Sequence, residues 1–170
     1  MKIFRSRILI ILSTILILSC DGGLQPDAES VITPGLSGKI IFEGAWPQGI
    51  QSTYIVLFKD ALNSAEDFNA GNLKYVSSLI PKGTSEFDFN TIDDISFGSI
   101  NSGRYAYLAV AQSTSPVLSL VRSVWSVAGV YKDQENGYPE GTIVIPENKF
   151  LSDITITCDF NNPPAQPPGY

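Results

Sequence analysis

Ile154-Thr155-Ile156-Thr157-Cys158-Asp159-Phe160 is the stretch whose pattern decides the fold. Successive side chains of an extended chain point to opposite sides, so Ile154, Ile156, Cys158 and Phe160 share one face while Thr155, Thr157 and Asp159 share the other. An apolar face backed by a polar one predicts a strand that covers a core on one side and meets water on the other. Moving outward, further strands are expected over Gly38 to Glu43, Thr53 to Lys59, Leu73 to Ile80, Glu86 to Asn90, Arg104 to Gln112, Val117 to Tyr131 and Thr142 to Ile145. Breaker-rich connections such as Gly44-Ala45-Trp46-Pro47-Gln48-Gly49 and Pro81-Lys82-Gly83 separate them. Arg104 to Gln112 is apolar on both faces, as a central strand is, and Val117 to Tyr131 is long enough to bend or bulge near Gly129. Only Ser64 to Gly71 reads as helical, for one or two turns, with Ser64 and Asp67 spaced as a variant capping box. Seven or eight short strands predict an all-β chain folded as a two-sheet antiparallel β-sandwich.

The amino-terminal region is of another kind. Lys2, Arg5 and Arg7 precede an apolar run from Ile8 to Leu18, which ends in Ser19-Cys20. A charged start, a short apolar segment and a small residue before a cut are the parts of a secretory signal. The 11 positions from Ile8 to Leu18 fall short of the roughly 20 that a spanning helix needs. Ile17-Leu18-Ser19-Cys20 resembles the lipobox of bacterial lipoproteins. That resemblance implies a diacylglycerol thioether on Cys20, an acyl group such as palmitate on its amino group, and attachment to a membrane of the bacterial cell envelope through lipid. Residues 1–19 then form the signal, 20–36 the lipidated cysteine and a flexible tether, 37–160 the folded domain and 161–170 a proline-rich tail. The tail is expected to be disordered or extended, with a polyproline ligand as the sharper alternative.

Cleavage removes three basic and no acidic residues, leaving 11 − 3 = 8 Lys+Arg against 17 Asp+Glu, a net charge of −9. Nucleic acid is therefore excluded as a partner, because phosphate binding relies on clustered Lys and Arg. With Cys20 acylated, Cys158 is left without a partner for an intramolecular disulfide. It reads as a small buried hydrophobe, since no flanking Lys, Arg or His would lower its pKa.

Ser37-Gly38-Lys39-Ile40-Ile41-Phe42-Glu43-Gly44-Ala45-Trp46-Pro47, Ser102-Gly103-Arg104-Tyr105-Ala106-Tyr107, Ala128-Gly129-Val130-Tyr131 and Asp153-Ile154-Thr155-Ile156 carry a second resemblance. Together they are similar to the transthyretin-like, carboxypeptidase-regulatory class of β-sandwich found in bacterial envelope lipoproteins. It covers residues 37–160 and implies a prealbumin-like or immunoglobulin-like sandwich without catalytic activity. On physical grounds Gly103 suits a turn, and Tyr105 suits a buried ring whose hydroxyl finds a backbone partner at the sandwich corner.

Chemistry is constrained by what the chain lacks. Without histidine, imidazole-based triads and zinc-binding His pairs are excluded. The nucleophile, dinucleotide and phosphate-loop motifs do not occur. Carboxylates remain, and a hydrolase would need two from among Asp60, Asp67, Asp88 and Asp93 to face each other across a cleft. Asp93 and Asp94 are adjacent and share a side only in a turn. No cofactor is expected. Asp133-Gln134-Glu135-Asn136-Gly137 is the weak candidate for Ca²⁺, through Asp133 and Glu135, and reads equally as a polar hairpin loop. Trp46, Trp125, Tyr131 and Tyr138 are candidates for a glycan-stacking platform, against which Trp46 reads as a plug for the end of the core. The expected function is a noncatalytic, lipid-anchored module that binds an envelope protein, with a surface glycan-binding lipoprotein as the alternative and a hydrolase third.

Overall fold

The computed structural model describes residues 32–170, apart from Gly98, Gln134, Tyr170 and the side chains of Ile95 and Ser96. The signal, Cys20 and the tether up to Val31 lie outside the described residues. The chain is all-β, arranged as a sandwich. Its strands are β1 (Gly35–Glu43), β2 (Ser52–Phe58), β3 (Leu73–Val76), β4 (Glu86–Asn90), β5 (Ile95–Ser96), β6 (Gly103–Tyr105), β7 (Tyr107–Ser113), β8 (Trp125–Val130), β9 (Ile143–Ile145) and β10 (Phe150–Asp159). One sheet has the order β10-β1-β4, the second β5-β3-β2-β7-β8, and β6 pairs with β9 in a third.

The opening alternation holds in three dimensions. Ile154, Ile156 and Cys158 are buried and the residues between them exposed. They meet Leu36, Ile40 and Phe42 of β1, Ile55 and Leu57 of β2, and Leu108 and Val110 of β7 in one core between the sheets. The five-stranded sheet is apolar on its other face as well. Val56, Phe58, Ala109, Ala111, Trp125 and Val127 form a second cluster there, covered by Leu62, Phe68 and Val124 from connecting segments. This second layer explains why the stretch around β7 is apolar on both faces.

Pairing is antiparallel except between β1 and β10, which run parallel. Parallel neighbours cannot be joined by a hairpin, and here the connection is most of the domain, so the first and last strands close the sandwich side by side. β1 starts at Gly35 rather than Gly38, and Leu36, placed in the tether by the sequence, is fully buried.

Three strand boundaries also differ from expectation, the first being that of Leu73 to Ile80, which is a strand only as far as Val76. Arg104 to Gln112 is divided at Ala106, with β6 pairing to β9 and β7 to β2. Val117 to Tyr131 is a strand only from Trp125, after a 3₁₀ turn over Arg122–Val124. The bulge near Gly129 is present: Val110 faces Gly129 and Ala111 faces Val127, leaving Ala128 unpaired.

Candidate functional site

The predicted aromatics fall into separate environments. Trp46 is half-buried, with its ring 4.8 Å from Phe42 and 5.2 Å from Phe160, and its indole N–H donates to the Thr84 carbonyl at 3.1 Å. It packs against the core between the sheets. Trp125 is 3% exposed in the other apolar cluster, donating to the Ser119 carbonyl at 2.8 Å. Tyr131 is half-buried against the first cluster, and burial followed by the charges of Asp133 and Glu135 raises its pKa. Tyr138 is exposed, with the Arg104 guanidinium 5.7 Å from its ring centre. Tyr105 is buried, and its hydroxyl both accepts from the Asn101 N–H at 2.9 Å and donates to the Asn101 carbonyl at 3.0 Å. That is the corner arrangement expected of it.

The carboxylates are held by local turns. Asp133 accepts from the Glu135 and Asn136 amides at 3.0 and 2.9 Å and from the Asn136 side chain at 2.9 Å. The Asn136 bonds hold its carboxyl below the usual range, as in a turn closed by an aspartate. Asp133, Glu135 and Asp153 line one open groove. Among the described residues no three His, Cys, Asp or Glu side chains are grouped to hold a metal ion. Asp67 accepts from the Asn63 and Ser64 amides at 2.9 and 2.8 Å and from the Ser64 hydroxyl at 3.1 Å, so Ser64 and Asp67 form the expected capping box around a single 3₁₀ turn. Asp94 accepts from the Tyr75 hydroxyl at 2.7 Å and the Ser78 amide at 2.8 Å. Burial, then Asp94, raises the Tyr75 phenol far above its ordinary value. Cys158 is fully buried and free, and burial pushes its thiol up to about 12.

The feature that composition did not foretell is the carboxyl-terminal segment. Pro167 is buried, and the Gln166 side chain pairs with both backbone groups of Val127, accepting from its N–H at 2.7 Å and donating to its carbonyl at 2.9 Å. Arg122 donates to the Pro167 carbonyl at 2.7 Å and the Pro168 carbonyl at 3.2 Å. The tail is thus docked beside β8, which excludes the disordered form of the two that were expected of it. Beside it a groove of about 410 Å³ is lined by neutral side chains that include Gln112, Thr114, Ser126, Phe160 and Gln166. Proline content signalled an extended chain; only a sheet edge and an arginine brought together by folding show where it lies.

Among the described residues no helix is long and apolar enough to cross a membrane. No protein-family model, curated protein or solved structure matches the chain.

Proposed function

We propose that the protein is a lipid-anchored component of the bacterial cell envelope that presents a noncatalytic, transthyretin-like β-sandwich as a binding module. The observation that carries this reading is the sequence Ile8 to Leu18 followed by Ser19-Cys20, an apolar run too short to span a bilayer and ending in a cysteine. Acylation at Cys20 supplies the attachment, and the acidic mature chain stays soluble above an anionic lipid surface. Support for a noncatalytic module comes from the acids themselves. Asp67, one of the four carboxylates a hydrolase would draw on, is tied to its own turn through the Asn63 and Ser64 amides and the Ser64 hydroxyl. An envelope protein is preferred to a glycan as partner because Trp46 and Trp125 pack into separate apolar clusters.

The test is metabolic labelling with a palmitate analogue in cells producing the wild-type chain or Cys20→Ala. Label is expected on the wild type and at background on the variant. Equal labelling of the two would overturn the reading.

A further inference from the structure

β8 is the last strand of the five-stranded sheet, with β7 on one side. An edge strand offers unpaired N–H and C=O groups to any segment that can bond them. Here those of Val127 are taken by a side chain. The planar carboxamide of Gln166 carries one acceptor and one donor, and it bonds Val127 as the backbone of an added strand would. Prolines at 163, 164, 167 and 168 have no N–H to give, and the donor that reaches the Val127 carbonyl is the Gln166 side chain.

The second contact reads the carbonyls. Arg122 is 8% exposed, and its guanidinium lies 5.9 Å from the Phe68 ring. It donates to the Trp125 carbonyl while its remaining nitrogens reach Pro167 and Pro168. The third contact reads the residue that follows. Gly169 has φ +83°, and a Cβ there would stand 2.6 Å from the Cβ of Ala65, so only glycine fits. The surface therefore holds Gln-Pro-Pro-Gly through an amide side chain, two acceptor carbonyls and then a residue without a side chain.

We propose that the β8 edge with Arg122 is a docking site for a proline-rich segment of another protein carrying Gln-Pro-Pro-Gly, and that residues 163–169 occupy it in cis as a displaceable self-ligand. The inference narrows the binding-module reading to a partner class and is independent of the lipid anchor. Open grooves of about 300 and 410 Å³ flank the tail and are lined in part by Gln166. The cis tail leaves β10 through a closed turn. Asp159 holds the turn at its root by accepting from the Asn161 amide at 2.9 Å and the Asn162 side chain at 2.7 Å. A tethered ligand acts at roughly millimolar effective concentration, so a free segment competes poorly until the tail's grip is weakened.

The experiment uses the full folded chain and a fluorescent peptide with the sequence of residues 161–170. In Gln166→Ala the Val127 amide is expected to exchange at least tenfold faster than in the wild type, and the peptide should restore its protection. The peptide should bind Gln166→Ala at least tenfold more tightly than the wild type. It should lose that binding when its own Gln is replaced by Ala. Gln166→Glu, which keeps the size but loses the donor, serves as the second variant should the first fail to fold. Val127 exchange unchanged by either variant would overturn the proposal. So would equal peptide affinity for variant and wild type, or no binding at millimolar peptide by a variant that retains the wild-type amide spectrum. None of these outcomes depends on Cys20.

Discussion

At the scale of single residues, two glycines let backbone pass where a side chain would stand. A Cβ on Gly38 would lie 1.9 Å from the Ile154 carbonyl oxygen, at the point where β10 bulges past β1 and Asp153 takes φ +64°. A Cβ on Gly129 would meet the Cys158 sulfur at 2.6 Å. Gly38→Ala is expected to cost about 3 kcal/mol or more, since the obstacle is backbone that cannot rotate away. Gly49→Ala, with nothing within 4 Å but φ +79°, should cost about 1 kcal/mol. Urea midpoints rank the two, and an equal loss would show that the close approach at Gly38 does not exist. Some residue roles were legible in the sequence. Cys158 sits on the apolar side of a clean alternation, and Tyr105 follows Gly103 in a corner pattern, so burial and a backbone partner could be expected of them. Gly38 could not be interpreted this way, because its reason is an oxygen 116 residues further along the chain.

At the scale of elements, period-two patterns located the strands while their ends escaped. Val117, Leu118, Leu120 and Val121 have apolar or β-branched side chains suited to a strand, yet all are exposed in the connection before β8. Strand preference measures fit to a half-buried pleated surface, and that surface is absent there. The short turn at Ala65–Asp67 was more legible because its stabiliser is local. Asp67 has its pKa lowered by the Ser64 amide first and the Ser64 hydroxyl second. A depressed carboxylate favours the folded turn above its unfolded value of 3.8, and that contribution is lost as pH falls through the lower folded value. The Ser64 amide resonance should therefore titrate with a midpoint below 3.8, and the titration should vanish in Asp67→Asn. A midpoint at or above the unfolded value would mean that the amide does not hold the carboxylate.

At the scale of the whole molecule, burial of neutral acids links stability to alkaline pH. Cys158 rises from 9.0 to about 12 through burial, and Tyr107 from 10.0 to about 12, with burial again the leading cause. A raised pKa means that the folded state keeps a proton the unfolded chain releases. Stability is full below the unfolded values and falls as pH climbs from about 9 toward 12, by up to ~1.4 kcal/mol per pH unit for each group. The urea midpoint should decline between pH 9 and 10, and Cys158→Ala should flatten that interval whatever it does to stability itself. A wild-type midpoint constant from pH 8 to 10.5 would sink the idea. By itself the sequence determined the all-β class, most strand positions and the inward face of β10, because alternation is a property of neighbouring residues. Tertiary structure alone decided the parallel pairing of β1 with β10, the second apolar layer over the five-stranded sheet, and the docking of the tail on β8. Each of these joins residues far apart in the chain, and which distant groups meet is settled by closing the core as a whole.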